Sequence, residues 1–305
     1  MKRSALLFAV ILCCSVVAAS DAPKRPRILG IARVQILTSD ISAARSFYST
    51  VLDHAHDCNW CEGLPGRSFL VNLNQGIALS NASSPAPSDL IEEIAFATDN
   101  IAGLRRYLAA NKIPVSKPNK PDDNYLTLTD PEGHRIGFLQ QPGMSALTEH
   151  QQQSLDTFFP SKLRIIHAGI IVRDRAAEDR FYKDILGFHV YWHGGMKEGE
   201  DHWVDMQVPD GTDWIEYMLN VAPNADKHTL GVMNHIALGV EDIKPATERL
   251  RDDGVVPILE QPKIGRDGKW QLNLYDPDDT RVEFMEFTPT QKPCCSEYTG
   301  PHPKP

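Results

Sequence analysis

Apolar and polar positions along this chain follow a pattern that is used more than once. An apolar strand closes on an acidic residue, an amphipathic helix follows, and short alternating segments separated by Gly and Pro come after it. The run Val34-Gln35-Ile36-Leu37-Thr38-Ser39-Asp40, with Phe47-Tyr48 and Leu52 beyond it, aligns without a gap on Ala168-Gly169-Ile170-Ile171-Val172-Arg173-Asp174, with Phe181-Tyr182 and Leu186 beyond it. Glu93-Ile94-Ala95-Phe96-Ala97-Thr98-Asp99-Asn100-Ile101 aligns equally well on His235-Ile236-Ala237-Leu238-Gly239-Val240-Glu241-Asp242-Ile243. A third pair closes each copy, Asp130-Pro131 through Phe138 against Asp276-Pro277 through Phe284.

Helical spacing marks the segments between the strands. Ile41, Ala44, Phe47, Tyr48 and Val51 predict one helix, and Ile101, Leu104 and Leu108 before Asn111 a second. In the second copy Arg173 or Asp174 starts a helix through Ala177, Phe181, Ile185 and Leu186 that Gly187 ends, and Ile243, Ala246 and Leu250 precede Gly254. The chain is thus a duplication of a unit that is itself double. Four βαβββ half-units in two tandem domains of the α+β class are expected: a leader over 1–20, a first domain over 27–142, a linker over 143–162, a second domain over 163–288 and an irregular tail over 289–305. The linker is rich in Gln, and a helix is expected around 146–158.

Strand parity selects the candidate chemistry. Ile236, Leu238 and Val240 share a face suited to packing under a helix, which leaves His235, Ala237 and Gly239 on the other. His167 stands opposite Ile166 and Ala168, Glu283 opposite Val282 and Phe284, and Glu216 shares a face with Trp214 and Met218. Glu286 falls on the packing face, so Glu283 is the carboxylate chosen from that strand. The matching positions of the first copy are Arg33, Ala78, Glu93 and Gly137. A single histidine on a strand is usually a hydrogen-bonded core or surface residue. Two histidines and two glutamates at repeat-related positions, all different in the sister copy, point instead to one metal ion in the second domain and none in the first. Imidazole and carboxylate suit Zn, Ni, Fe, Co or Mn, and a set of four leaves open positions on an octahedral ion.

The paired half-units, the starts His167-Ala168-Gly169-Ile170-Ile171-Val172 and Asn234-His235-Ile236-Ala237-Leu238-Gly239-Val240, and the ending Asp276-Pro277…Val282-Glu283-Phe284 resemble the vicinal oxygen chelate superfamily. That superfamily includes glyoxalase I, bleomycin-resistance proteins, extradiol dioxygenases and methylmalonyl-CoA epimerase. The resemblance implies a cup-shaped mixed sheet in each domain and a metal at the base of the second cup, held by His167, Glu216, His235 and Glu283. Ile215-Glu216-Tyr217-Met218-Leu219-Asn220 is similar to the second-ligand strand of the His-Glu-His-Glu glyoxalases. Extradiol dioxygenases share the arrangement of an inactive first domain and an active second one, but use three ligands and require a His and a Tyr before the final Asp-Pro. Here Asn273 stands at the Tyr position, Tyr275 is offset by two residues, and no His lies between His235 and His302. The implied chemistry is proton transfer beside a chelated carbonyl of a small-molecule substrate, with Glu216 or Glu283 as base. The competing readings are ring-cleaving dioxygenase and non-catalytic small-molecule binding of the bleomycin-resistance kind. No local motif for glutathione is present.

Composition bounds the setting. Met1-Lys2-Arg3, the apolar run Ala5–Val17 and the small residues before Asp21 predict a secretory signal peptide and export to the periplasm or the outside. The run is too short for a stable membrane anchor, and Leu12 before Cys13 argues against lipidation. The formal charge of −9, which becomes −11 once Lys2 and Arg3 are removed, lacks the basic footprint of a nucleic-acid binder. Cys58, Cys61, Cys294 and Cys295 then remain, and in an exported chain they are expected in disulfides whose pairing sequence does not give, with a zinc site as the alternative. Asn81-Ala82-Ser83 matches a glycosylation acceptor. His193 and His202 flank a loop and are candidates for the cup mouth.

Overall fold

The computed structural model describes residues 23–53, 67–118, 120, 123–141, 158–255 and 261–305. The leader, Cys58 and Cys61, and the expected linker helix except for its last residue lie outside the described residues. No helix among the described residues is long and apolar enough to cross a membrane.

The first domain contains β1 (Ile28–Thr38), α1 (Ile41–Val51), β2 (Arg67–Asn72), β3 (Gln75–Asn81), β4 (Ile91–Thr98), α2 (Ile101–Ala110), β5 (Tyr125–Thr129) and β6 (Arg135–Gln140). Its sheet has the order β2-β3-β1-β4-β6-β5. The second contains β7 (Arg164–Ile171), α3 (Arg175–Glu178), β8 (His189–Gly194), β9 (Trp203–Gln207), β10 (Trp214–Met218), α4 (Lys227–Met233), β11 (His235–Val240), α5 (Ile243–Asp252), β12 (Lys263–Ile264), β13 (Trp270–Tyr275) and β14 (Arg281–Glu286). Its sheet has the order β12-β13-β14-β11-β7-β10-β9-β8. The expected βαβββ half-unit is complete in the second domain. In the first, two strands follow each helix among the described residues.

The acidic or amide residue that ends each strand is the cap of the next helix. Asp40 accepts from Ser42 N and Ala43 N, Asn100 from Gly103 N, Asp174 from Ala177 N and Asp242 from Lys244 N. α3 departs from the expected regular helix. It continues as a π-helical stretch over Asp179–Ile185, in which Leu186 N donates to Phe181 O at 3.0 Å. The wider turn buries both Phe181 and Tyr182. Gly187 ends it with φ +82°, and the first copy places Asp53 at the equivalent position with φ +59°. α4, which precedes His235, was not anticipated by the spacing.

Sheet registers match the sequence alignment residue for residue. β1 lies beside β3 with Arg33 opposite Gly76, as β7 lies beside β10 with His167 opposite Trp214. β4 and β6 pair Ala95 with Gly137, as β11 and β14 pair Ala237 with Glu283. One apolar core runs through both domains, from Ile28, Val34 and Phe96 to Phe188, Leu238 and Phe284, and Phe96 meets Phe188 edge-on at 5.3 Å. Burial of this shared surface is the main force holding the domains as one body. The tail has neither helix nor strand, as expected, yet it packs firmly. Trp192 Nε1 donates to Cys294 O, Gln207 Nε2 to Pro301 O and Tyr298 OH to Asp267 O.

Candidate metal site

All four expected residues lie on the inner face of the second sheet. Antiparallel pairing of β7 with β11 puts His235 opposite Gly169, and His167 opposite Ala237. β10 sets Glu216 opposite Gly169 on the other side, and β14 sets Glu283 opposite Ala237. Gly169 is what makes the approach possible. A Cβ there would lie 2.0 Å from the His235 ring, and the first copy carries Gln35 at that position.

The side chains converge. His167 Nε2 and His235 Nε2 are 3.0 Å apart. Glu216 Oε2 lies 3.1 Å from His235 Nε2 and 3.8 Å from His167 Nε2, while Glu283 Oε2 lies 3.5 Å from His167 Nε2 and 3.8 Å from His235 Nε2. With bonds of about 2.1 Å, ligand atoms around one ion stand roughly 3.0–3.4 Å apart at octahedral or tetrahedral angles. The separations of 3.0 and 3.1 Å fall in that range, and those of 3.5 and 3.8 Å lie just beyond it. His167, His235 and Glu283 form a group whose ligand atoms all lie within 4.8 Å of one another; Glu216 is not part of that group, although its Oε2 is the carboxylate oxygen nearer to His235. His235 Nδ1 donates to Met233 O at 3.0 Å, which fixes the tautomer and turns a lone pair on Nε2 toward the site. The His167 ring is held instead by packing on Trp214 at 4.9 Å. Arg281 Nη2 donates to His235 Nε2 at 2.7 Å, so an ion and this guanidinium compete for one lone pair.

Burial divides the two carboxylates. Desolvation raises Glu216, against the pull of His167 and Arg281. Glu283 is also penalised by burial, but Arg281 and the histidines outweigh this and hold its pKa down at about 2. Burial and then Arg281 push His235 down to about 3, and burial lowers His167. Both imidazoles are therefore presented neutral, the form a metal requires.

A cavity of about 300 Å³ opens over the site, walled by Trp192, Trp203, Trp214 and Met285, with Arg266, Arg281 and Asn273 among its polar lining. That volume suits a small ligand. Neither His193 nor His202 lines it; His193 Nδ1 pairs with Asp201 Oδ1 at 2.7 Å, and Met196 of the same loop reaches the cavity instead. Asn273 lines the cavity with a buried, unpartnered Oδ1, whereas Tyr275 is 39% exposed and stacks near His228.

The first domain fills the equivalent place with an ion pair. Arg33 Nη2 meets Glu93 Oε1 at 2.7 Å, and Arg135 Nε meets Glu93 Oε2 at 2.9 Å. Gly137 leaves the room that Glu283 occupies in the sister copy; a Cβ there would press Tyr125 Oη at 2.7 Å.

A family model, the Glyoxalase/Bleomycin resistance protein/Dioxygenase superfamily, matches residues 164–284. The ethylmalonyl-CoA/methylmalonyl-CoA epimerase of Cereibacter sphaeroides is 31% identical over 123 residues, 38% of this chain and 90% of that protein. The chain belongs to the glyoxalase/bleomycin resistance protein/dioxygenase superfamily. The lactoylglutathione lyase of Haemophilus influenzae is 27% identical over 130 residues, 42% of this chain and 96% of that protein. Homoprotocatechuate 2,3-dioxygenase from Brevibacterium fuscum, solved in complex with 3,4-dihydroxyphenylacetate, superposes with a TM-score of 0.62 at 19% identity, over 92% of this chain and 84% of that one. This last likeness is one of fold, and it extends over both domains. The sequence relatives thus include a lyase and an epimerase, and the fold is shared with a ring-cleaving dioxygenase.

Three residues of this superfamily site escaped the sequence reading. Arg281 lies on the same strand face as Glu283, two residues before it, without a pattern of its own. Lys269 is fully buried with an unpartnered Nζ, 4.6 Å from the centre of the Trp214 ring, although Arg266-Asp267-Gly268-Lys269 reads as an exposed turn. Burial lowers its pKa against the pull of Asp267 and Asp205. Asp205, buried and raised by desolvation and by Glu216, lines the same cavity. No local pattern marks the last two. Cys294 and Cys295 form a disulfide with each other, and Arg266 donates to the Cys294 sulfur at 2.8 Å.

Proposed function

We propose that the second domain is a metal-dependent lyase or isomerase that moves a proton beside a chelated carbonyl group, with His167, Glu216, His235 and Glu283 holding the ion. The observation that carries this reading is the second carboxylate: Glu216 stands 3.1 Å from His235 Nε2, and its pKa is raised by burial. When bound, a divalent ion supplies Lewis-acid polarisation of adjacent substrate oxygens, which acidifies the neighbouring C–H. Glu216 then accepts that proton and returns it to the neighbouring carbon. Glu283, held ionised, is the poorer base and the steadier ligand. The tryptophan walls exclude water, and Arg281 at the cavity floor favours a substrate that carries negative charge. Lyase and epimerase relatives agree with this chemistry.

Ring cleavage is the second reading, supported by the two-domain superposition. Asn273 in the cavity and Tyr275 outside it weigh against it, since neither supplies a phenol at the site. Hemithioacetals, acyl-CoA thioesters and catechols, offered to the metal-loaded protein in deuterated water, separate the two. Deuterium entering the carbon next to a carbonyl, and a loss of about 10²–10⁴ in turnover in Glu216→Gln, is the expected result. Oxygen uptake with a catechol, unchanged in Glu216→Gln, overturns it. Export completes the proposal, resting on Met1–Ser20. N-terminal sequencing of the mature protein is expected to begin near Asp21.

A further inference from the structure

The two Asp-Pro turns of the chain each dock on the opposite domain, and they do so in the same way. Asp276 accepts from Asp278 N and Thr280 N and receives Tyr48 OH at 3.1 Å, while Asp278 accepts from Ser39 N. Asp130 accepts from Gly133 N and His134 N and receives Tyr182 OH at 3.1 Å, while Glu132 accepts from Arg173 N and Asp174 N. Against this symmetry, three of the positions that differ bring new polar groups. Where the first docking has Ala44, Thr280 and Leu79, the second has Glu178, His134 and Tyr217.

Those three residues make a polar nest with an unmet demand. His134 Nδ1 stands 2.8 Å from Asp130 Oδ2. Glu178, on α3 of the second domain, is fully buried; its Oε1 accepts from Glu132 N at 2.9 Å, but its Oε2 has no hydrogen-bond partner among the described residues. Tyr217 OH, buried in the same region, has none either. Ligand atoms of Asp130, His134 and Glu178 lie within 4.8 Å of one another. Asp89, Glu132 and Asp179 add negative field around them and Arg175 is the cation in reach, as their effects on the cluster's titration show. Burying an unpaired carboxylate oxygen is costly, and a cation removes both the charge and the vacancy.

We propose that Asp130, His134 and Glu178 form a second divalent-cation site, distinct from the cup, that clips the closing turn of the first domain to α3 of the second. One imidazole and two carboxylates suit a borderline ion such as Zn²⁺ or Mn²⁺. The competing state is a proton on Glu178, because burial, followed by Asp130, pushes its pKa up to about 8 in the absence of an ion. The clip lies in a different part of the fold from the cavity and does not depend on the reaction proposed above.

The test counts ions in the full chain. Metal-stripped protein is titrated with Zn²⁺ by calorimetry, dialysed and analysed for zinc, alongside the double variant His134→Thr/Glu178→Ala, which copies the residues of the sister docking. The expected result is one zinc fewer per chain in the variant, whatever the cup holds, and a rise in unfolding temperature with Zn²⁺ that the variant loses in part. Glu178→Gln keeps the shape and serves if the double variant folds poorly; at least a tenfold weaker second binding step is expected. Equal zinc content in wild type and in the folded variants, meaning that Glu178 is held as the neutral acid, overturns the proposal.

Discussion

At equivalent places in two copies of one fold, this chain keeps an arginine–glutamate pair in the first domain and two histidines with two glutamates in the second. In the first, Arg33 and Glu93 neutralise each other at 2.7 Å, so the strand face is satisfied from within the chain. In the second, two carboxylates face two neutral imidazoles, and Arg281 is the cation beside them. The contrast teaches that the sheet tolerates polar groups at these positions only when some positive charge answers them. A protein cation closes the first cup and leaves no coordination vacancy, whereas the second is arranged so that an ion can do the same work and still bind substrate.

The most direct way to break the comparison is to write the first domain into the second. His167→Arg with His235→Glu is expected to abolish metal binding in the cup and so remove one ion per chain, well beyond the roughly 10–100-fold that loss of a mere outer-sphere partner costs, while circular dichroism stays that of the wild type. Elemental analysis of the purified variant checks it, and full retention of metal would show that the four residues are not the ligand set. In the other direction, Arg33→Ala leaves Glu93 buried with only the half-exposed Arg135. Breaking a buried pair costs about 3–5 kcal/mol, and the remaining partner should hold the loss to about 2–3 kcal/mol in urea unfolding, with metal content unchanged.

Gly169→Gln installs the residue of the first copy against the His235 ring. Overpacking of about 1–3 kcal/mol is expected, together with weakened metal binding, because the ring must leave its place. A stable variant that binds metal normally would mean that the strands part easily here. The last test is one of pH. The folded state holds His235 at about 3 against 6.5 in the unfolded chain, so its contribution is fully present above pH 6.5 and is lost as pH falls toward 3. Metal-free protein should therefore lose stability with acid in this window, and His235→Asn should flatten that slope.

The repeat, the strand faces and the four converging side chains were legible in the sequence because each is a local pattern compared between two copies. Parity alone puts His235 and Glu283 on one face, and the different residues at the matching positions of the first copy, Glu93 and Gly137, single them out. Arg281 sat on the right face but looked like any charged strand end. Lys269 and Asp205 were hidden because their burial comes from strands and tail residues distant in sequence, and a lysine after Asp-Gly carries the signature of an exposed turn. The π-helical turn after Glu178 was likewise invisible, since Phe181 and Tyr182 fit a regular helix in pattern and are both buried only through the wider one.

Nothing local assembles the second cup. His167 and His235 face each other at 3.0 Å but are 68 residues apart along the chain, and each is delivered by a different half-unit. Long loops must close before the ligands meet, so the site forms late in folding and has no counterpart in the unfolded chain. An ion bound there stabilises the finished sheet by mass action, about 4 kcal/mol at a thousandfold excess over its dissociation constant. Because the contact is absent until the sheet has closed, that gain appears as slower unfolding and leaves the folding rate nearly unchanged. Under the export proposed above, such an ion acts as a lock set after arrival.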